Sequence, residues 1–525
     1  MEYPYSDFRS YIDALDSEGL VTHVYDPINK DTEMIPLVRL QFRGLEESKR
    51  KTFLFHNVIG SGGKVYEGKV VVGALAASRS VYHKAVGGDV SATWKRALEN
   101  HIKPVTVETG PVKECIIKGE ELDSGHGIDL FPHPISTPGY DPAPFLTSPY
   151  WVTKDPETGI YNVGTYRGML KENNRVGLQM DTPLQHIAIH LEKARKLGLK
   201  TLEAAVVLGA VPAIGLASVT KLPFGVSEYD VAGGIMGKPV ELVPCETIDL
   251  EVPHNAEIVL EGEIDLTELE EEGPFGEASG YMGPRGLSPY MKIKAITHRK
   301  NPVYQAFISE FPPSESTLMR KMGFENVYTN FLQNSCKISS VKKVAFHEMG
   351  TCNMTLVIQM DSPAPGQAMQ ALYAATSYEP SMGKIIIAVD SDVDPEDMDS
   401  VIWALSFSMQ PSRDVQIIKG KLPRLDPSSN SINDTSECSA LLIDATRPYD
   451  YPPTSLPSQK YMEDAVVMWE KLGLPKLDLK EPWFGYELGD WTEENKDEAK
   501  LAVLGKYFET GKKLYQRRVP FQKGT

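Results

Sequence analysis

The stretch from about residue 116 to about residue 305 constrains the fold most, because it consists of short β-like runs that Gly and Pro separate. One helix interrupts these runs, at about residues 183–198. Many short strands with frequent turn signals are typical of a β-barrel or a β-sandwich. The runs are Pro149–Lys154, Ile160–Leu170, Arg175–Met180, Ala204–Leu208, Glu257–Ile264 and Met291–Thr297.

The segments on either side have α/β character. Residues 1 to about 115 contain a helix near 6–16, with Ser6 as its expected cap, and a strand near Lys69–Ala74. From about residue 306 to 470, strands and helices alternate, which is typical of a parallel sheet. The elements expected there are strands Met354–Met360 and Lys384–Asp390 and helices 365–378 and 395–409.

We therefore predict an α/β multidomain chain. Its length of 525 residues supports this prediction, since a single hydrophobic core stops growing at about 250–300 residues. The expected parts are an N-terminal α/β lobe (1–115), a central barrel (116–305), a C-terminal α/β domain (306–470) and a tail (471–525) with one appended helix near 496–515.

Composition excludes several kinds of partner. With 54 basic and 71 acidic side chains, the net charge of −17 repels a nucleic-acid backbone. No apolar run reaches the roughly 18 residues of a membrane span, and the first residues lack a signal-peptide pattern. The five cysteines are scattered without a C-x-x-C pair, which favours a reducing compartment. We expect a cytoplasmic protein that binds neither nucleic acid nor membrane.

Two carboxylates bracket a turn in the segment Glu272-Gly-Pro-Phe-Gly-Glu277. Residues five apart on a regular strand face opposite ways, but a turn can bring both side chains to one cavity. Paired carboxylates in a partly dry site push their pKa values apart, which leaves one able to hold a proton near neutral pH. A surface turn with two solvated glutamates is the alternative that spacing alone leaves open.

A second segment, residues 161–169 (YNVGTYRGM), places Arg167 in β-like sequence among small and apolar residues. Burying a guanidinium there is costly without an anion. Its planar fork suits a carboxylate, either of a substrate or of a glutamate. The alternative is an arginine that extends from a barrel strand into solvent.

Asn162, His186 and Glu228 offer an amide oxygen, an imidazole nitrogen and a carboxylate oxygen. Such a mixed set suits Mn²⁺ or Mg²⁺ better than structural zinc. The sequence alone does not bring the three together. His190, one helical turn after His186, is an equally good choice of ligand at this stage.

Together, these segments resemble the UbiD family of reversible decarboxylases. The resemblance runs along nearly the whole chain, and the glutamate turn combined with GVSEYD and AEIVLEG is specific. The segments that carry it are YNVGTYRGM (161–169), PLQHI (183–187), LPFGVSEYDVAGGIMG (222–237), VELVPCETIDLEVPHNAEIVLEGE (240–263), EGPFGEASGY (272–281), FLQNSCKIS (331–339) and LLIDATRP (441–448).

The resemblance implies a central split β-barrel like that of flavin reductases and a C-terminal α/β domain used in dimerisation. It also implies prenylated FMN as the cofactor, made by a partner flavin prenyltransferase. The cofactor's phosphate is expected to be held through a divalent metal (Mn²⁺, Mg²⁺ or another) and usually K⁺. We accordingly expect a homodimer or a homohexamer.

Site residues follow from the resemblance position by position. The catalytic set falls on Arg167, Glu272 and Glu277. The metal ligands fall on Asn162, His186 and Glu228. The cofactor-lining positions are Thr165, Tyr166, Arg167, Gln185, Ser218, Val219 and Thr220.

The chain departs from the family pattern at one position near the cofactor. The family usually has a lysine four residues before the Asp of its D-A-T segment, and here Ala440 precedes Asp444. A cationic contact to the cofactor is therefore missing or supplied elsewhere. Lys221, where relatives often have proline, is the candidate replacement.

These features favour reversible, non-oxidative decarboxylation or carboxylation of an aromatic or conjugated acid, either free or as an aromatic acyl-CoA. We expect Arg167 to orient the substrate carboxylate and keep Glu272 ionised, and Glu277 to transfer the proton. One alternative is a flavin-dependent oxidoreductase, although no Gly-rich dinucleotide loop supports it. The other is a non-catalytic flavin-binding subunit of a carboxylase complex, which the intact catalytic set disfavours.

Overall fold

The computed structural model describes residues 3–123, 127–180, 182–422, 425–429, 438–477 and 489–520. They form a mixed α/β fold. The helices are α1 Phe8–Ser17, α2 Met34–Gly44, α3 Arg79–Val86, α4 Val90–Glu99, α5 Glu120–Asp123, α6 His186–Lys196, α7 Pro212–Ser218, α8 Glu228–Met236, α9 Glu315–Asn330, α10 Gln367–Tyr378, α11 Met398–Phe407, α12 Pro411–Asp414, α13 Gln459–Lys471, α14 Glu493–Val503 and α15 Tyr507–Gln516.

The strands group into three larger sheets, one three-stranded sheet and three short pairs within the described residues. They are β1 Val21–Val24, β2 Ile28–Asn29, β3 Thr52–Phe55, β4 Val58–Ile59, β5 Lys69–Val72, β6 Val105–Thr106, β7 Cys115–Lys118, β8 Phe145–Leu146, β9 Tyr150–Lys154, β10 Tyr161–Thr165, β11 Gly168–Glu172, β12 Arg175–Gly177, β13 Thr201–Leu208, β14 Glu241–Pro244, β15 Glu251–Pro253, β16 Ile258–Asp265, β17 Glu270–Glu272, β18 Phe275–Gly276, β19 Met282–Gly283, β20 Gly286–Ser288, β21 Tyr290–His298, β22 Val303–Ala306, β23 Val341–Phe346, β24 Thr355–Met360, β25 Ile385–Asp390, β26 Val415–Lys421 and β27 Cys438–Ala445. The three-stranded sheet has the order β15-β14-β6.

The N-terminal sheet has the order β1-β3-β5-β22. Its last strand, β22, pairs in parallel with β5, so the chain returns to this sheet after the central segment. Helix α1 buries the apolar face that its sequence predicts, which is Phe8, Tyr11, Ile12 and Leu15. Its cap is Asp7, which accepts a hydrogen bond from Ser10 N at 2.8 Å, so the expected Ser6 cap is wrong by one residue.

The central sheet is antiparallel, in the order β10-β9-β13-β16-β21-β12-β11-β8, with β7 also paired to β21. Its end strands β10 and β8 do not pair with each other within the described residues. The sheet therefore does not close, and it forms a half-barrel. Tyr166 and Arg167 alone connect β10 at one edge with β11 near the other. Because the three residue steps from Thr165 to Gly168 span at most about 11 Å, the sheet must curl until its edges approach, and Arg167 lies at the opening.

The C-terminal sheet has the order β23-β24-β25-β27-β26. Its middle strands β24, β25 and β27 are parallel, as the alternating pattern predicts. The edge strands β23 and β26 are antiparallel to their neighbours. Helices α10 and α11 match the predicted helical segments, although α11 begins only at Met398, after its Asp397 cap.

Helix α9 connects the C-terminal sheet to the N-terminal lobe. Its first residue, Glu315, is fully buried and accepts hydrogen bonds from Gly73 N at 3.0 Å and Leu75 N at 2.8 Å. Further along the chain, Glu396 forms ion pairs with Arg79 of the lobe and with Lys343 of β23. These contacts fix α9 as one wall of the space next to the half-barrel.

The tail differs from its prediction. Two helices, α14 and α15, replace the single expected helix, because the chain breaks at residues 504–506, where Gly505 has a φ of +73°. Among the described residues, no helix is long and apolar enough to cross a membrane. The domain boundaries at 115, 305 and 470 stay a prediction.

Candidate active site

A cavity of about 450 Å³ lies between the half-barrel sheet, helices α7 and α8, and helix α9. This volume is within the range of about 300–1,000 Å³ that is usual for ligand pockets. The positions predicted to line a cofactor all lie on its wall, namely Thr165, Tyr166, Arg167, Gln185, Ser218, Val219 and Thr220.

Arg167 contacts both glutamates of the turn. Its Nη1 donates a hydrogen bond to Glu277 Oε1, and its Nε lies 3.5 Å from Glu272 Oε1. Its guanidinium carbon also lies 5.0 Å from the centre of the Phe275 ring, within cation–π range. The structure therefore brings the three predicted residues together. The alternative of a solvated turn is excluded, since Glu272 is only 2% exposed.

Short strands and nearby glycines hold the two carboxylates in place. Strand β17 ends at Glu272 and pairs with β20, while β18 and β19 pair just before and after Glu277. A side chain at Gly177 would collide with Glu272 Oε2, and one at Gly283 would come within 2.7 Å of Glu277 Oε1. Glycine at these positions leaves the space that the carboxylates occupy.

The fold changes the ionisation of Glu272. Burial raises its pKa to about 7, and the positive charges of Arg167 and Lys171 only partly oppose this effect. Its Oε2 has no hydrogen-bond partner within the described part of the chain. A pKa of about 7 lets Glu272 hold or release a proton near neutral pH, as expected for one member of such a pair. The role of Arg167 in keeping Glu272 ionised stays a prediction.

The predicted metal ligands lie together on the same cavity wall. His186 and Glu228 are each the first residue of a helix, α6 and α8, and His186 Nδ1 lies 3.7 Å from Glu228 Oε1. The other carboxylate oxygen of Glu228 accepts a hydrogen bond from Val163 N at 2.7 Å, which brings it next to Asn162. Asn162 is buried, and its Nδ2 has no partner among the described residues.

His190 does not belong to this set. It is buried, and its Nδ1 lies 2.9 Å from Thr153 Oγ1 on β9. Burial lowers the pKa of His190 to about 4, so the ring is neutral and part of the protein core. The structure thus separates two histidines that the sequence leaves equivalent.

The site also contains residues that the sequence did not indicate. Helix α9 contributes Met319, Arg320 and Phe324 to the cavity wall, and Phe307 and Tyr378 add further aromatic surface. Helix α9 is buried on most of its faces, so no amphipathic stripe marks which of them meets the cavity. Arg320 Nη2 donates a hydrogen bond to Ser316 Oγ at 3.2 Å, which turns a second guanidinium toward the cavity.

The position that lacks the expected lysine lies away from the cavity. Ala440 is buried in the core around β27 and is not part of the cavity wall. Lys221 does line the cavity, and its Nζ lies 3.9 Å from Glu379 Oε2. The wall therefore carries a lysine at the position that the sequence suggested as a replacement.

Comparison with known proteins identifies the family of this chain. Residues 103–311 match the model of the 3-octaprenyl-4-hydroxybenzoate carboxy-lyase Rift-related domain, and residues 321–445 match that of the corresponding C-terminal domain. The chain belongs to the UbiD family. It is therefore a carboxy-lyase of the UbiD type, as its sequence predicts.

Relatives cover most of this UbiD-family chain. The phenolic acid decarboxylase of Bacillus subtilis (strain 168) is 30% identical over 482 residues, which cover 85% of this chain and 93% of that protein. The UbiD-class enzyme HmfF of Pelotomaculum thermopropionicum, solved in complex with FMN, is 29% identical with a TM-score of 0.75, covering 88% of this chain and 99% of HmfF. An evolved dimeric form of HmfF, in complex with prFMN, is 30% identical with a TM-score of 0.73. The match covers 86% of this chain and 97% of that form of HmfF.

Proposed function

We propose that this chain catalyses the reversible, non-oxidative decarboxylation of an aromatic or conjugated carboxylic acid, with prenylated FMN and a divalent metal. The contact of Arg167 with both Glu272 and Glu277 at the wall of a flavin-sized cavity carries this proposal. Such an arrangement combines an anchor for a carboxylate with two groups that exchange protons.

The residues on the cavity wall fit the cofactor. Thr165 and Ser218 hold their hydroxyls 2.9 Å apart, which offers polar contacts to a flavin, and Lys221 and Arg320 provide positive charge for its phosphate. Asn162, His186 and Glu228 supply an amide oxygen, an imidazole nitrogen and a carboxylate oxygen, which would hold Mn²⁺ or Mg²⁺. When bound, prenylated FMN supplies a sink for the electron pair that CO₂ leaves behind.

The protein residues would then divide the remaining work. Arg167 binds the substrate carboxylate before CO₂ leaves, and Phe275 behind its guanidinium limits how that group can turn. Glu277, which lines the cavity, gives a proton to the carbon that has lost CO₂, or removes it in carboxylation. Glu272 lies behind Arg167 and not on the cavity wall, so its protonation sets the charge next to the guanidinium.

The cavity wall favours an aromatic substrate, because Phe307, Phe324 and Tyr378 line the same cavity as Arg167. The phenolic acid decarboxylase relative suggests phenolic acids as the first compounds to test. We also propose that a flavin prenyltransferase supplies the cofactor and that the chain assembles as a homodimer or homohexamer. An evolved form of HmfF in complex with prFMN is dimeric.

The test is CO₂ release by protein that is co-produced with a flavin prenyltransferase and purified without oxygen. The panel contains 4-hydroxybenzoate, vanillate, ferulate and the mono-CoA thioester of an aromatic dicarboxylic acid, which keeps one free carboxylate. We expect release from at least one compound, together with uptake of deuterium from D₂O at the carbon that loses CO₂. Nicotinamide oxidation without CO₂ release would instead support a flavin-dependent oxidoreductase.

A further inference from the structure

A second group of acidic side chains lies directly behind the glutamate turn and outside the cavity wall. It consists of Glu310, in the segment between β22 and α9, and Asp141, in the loop before β8. Glu310 packs against Gly276, where an added Cβ would lie 2.6 Å from Glu310 Cγ and 3.1 Å from Thr137 Oγ1. The group thus touches the backbone next to Glu277.

The group contains buried oxygen atoms that the fold does not use. Glu310 Oε1, Asp141 Oδ1 and Ser136 Oγ are all buried without a hydrogen-bond partner among the described residues. Glu310 is 6% exposed and Ser136 is 7% exposed. The second carboxylate oxygen of each acid does have a partner. Arg39 donates a hydrogen bond to Glu310 Oε2, and Thr137 N donates one to Asp141 Oδ2 at 2.7 Å. A buried oxygen without a hydrogen-bond partner lowers the stability of the fold. The exchange of protons with neighbouring groups would give these oxygens a function.

Charged groups face this pair from several sides. Arg39 on α2 lowers the pKa of Glu310, while burial and the charge of Asp141 raise it to about 7. Burial raises the pKa of Asp141 to about 6, against the opposing effect of Arg167. Asp141 and Glu277 therefore lie near the same guanidinium. Because Arg39 contacts Glu310 and the charge of Arg167 acts on Asp141, a metal cation would be repelled there.

We propose that Asp141 and Glu310 form a proton relay that returns a proton to Glu277 after each decarboxylation. This inference rests on the proposed function, in which Glu277 loses one proton to the substrate carbon. Asp141, which is partly exposed, takes a proton from water and passes one to Glu310. Glu310, which packs against Gly276, passes one to the Glu277 carboxylate. Each turnover thus moves one proton from solvent to carbon, and carboxylation runs the same transfers backwards.

The relay has a direct test in the variants Asp141→Asn and Glu310→Gln. The matched control is Asp129→Asn, because Asp129 also has a buried oxygen without a described partner but pairs with Lys64 instead. Turnover of the most reactive acid of the panel is measured in H₂O and D₂O, at low and high imidazole concentration. Flavin absorbance and thermal unfolding verify that each variant is folded and loaded with cofactor.

We expect kcat of both relay variants to fall by a factor of about 10–100 at low imidazole, since positioned proton transfer contributes about 10²–10⁴. Imidazole should restore part of the rate, and the solvent isotope effect should rise, whereas Asp129→Asn should behave like the parent. Variants that keep parental kcat, or whose loss does not respond to imidazole, overturn the relay alone. A cofactor-loaded parent that releases no CO₂ from any acid overturns the proposed function, and the relay with it.

Discussion

Arg167 Nε lies 3.5 Å from Glu272 Oε1, yet burial still raises the pKa of that carboxyl to about 7. The desolvation of Glu272 therefore outweighs its nearest positive charge. Arg167 directs Nη1 to Glu277 at the same time. One guanidinium thus connects a buried carboxyl, which titrates near neutral pH, with a second carboxyl that lines the cavity.

Replacement of Glu277 by Gln should abolish turnover while leaving the cofactor bound. Gln keeps the size of the side chain but cannot transfer the proton, so kcat should fall by about 10²–10⁴. The control is Glu271→Gln, on the same turn but largely exposed, which should keep parental activity. The measurement is the initial rate of CO₂ release at equal flavin content. Parental activity in Glu277→Gln would assign proton transfer to another group.

The stability of the cofactor-free chain should depend on pH through Glu272. Its folded pKa of about 7 lies above the ordinary value of 4.5, so the folded state holds this proton more tightly than the unfolded state. The free energy of unfolding should therefore fall as the pH rises from about 4.5 to about 7, by up to about 3 kcal/mol from this group.

Urea unfolding of the parent and of Glu272→Gln across this pH range measures that contribution. Gln carries no titrating proton, so the pH slope of the variant should be flatter than that of the parent. Glu310 and Glu315 also have raised pKa values and act in the same direction in both proteins. Equal slopes for the two proteins would show that Glu272 has an ordinary pKa in the folded state.

Substitution of the two histidines of α6 should have different effects on metal affinity. His186→Ala should lose Mn²⁺ affinity by a factor of about 10–100 or more, as expected when a ligand is removed. His190→Ala should keep Mn²⁺ and instead unfold at a lower temperature, because it loses a buried contact with Thr153. Titration with Mn²⁺, followed by electron paramagnetic resonance, measures both affinities. Loss of Mn²⁺ by His190→Ala alone would reverse the assignment.

Lys221 should contribute to flavin binding if it replaces the lysine absent at position 440. Removal of a charge-assisted hydrogen bond costs about 1.5–3 kcal/mol, so Lys221→Ala should weaken FMN binding by about 10–100-fold. Lys196→Ala is the control, because its side chain is 73% exposed. Fluorescence titration with FMN gives the two dissociation constants. An unchanged constant for Lys221→Ala would leave Arg320 as the cation to test next.

The family resemblance named the candidate site residues, and the structure groups most of them at one cavity. Glu272 and Glu277 belong to one turn, and Asn162 and Arg167 to one short segment, so few long-range contacts are needed to bring each pair together. The pKa of Glu272 could not be predicted in the same way. It depends on how deeply β17 is buried, which is a property of the whole fold.

Residues from distant segments were missed for a related reason. Arg320, Asp141 and Glu310 lie in parts of the chain that approach the glutamate turn only after α9 and the loop before β8 have packed. The fold class was predicted from strand and helix patterns, but they did not predict that the central sheet stays open between β10 and β8. They also missed the break at Gly505 that divides the tail helix.

The most direct test of the prenylated-FMN proposal is the identity of the bound cofactor. The chain would be co-produced with a flavin prenyltransferase and purified without oxygen, and its absorbance spectrum and native mass would be recorded. We expect one prenylated FMN per chain together with one Mn²⁺. Ordinary FMN, or a protein without flavin, under conditions that load a known UbiD enzyme would contradict the proposed function.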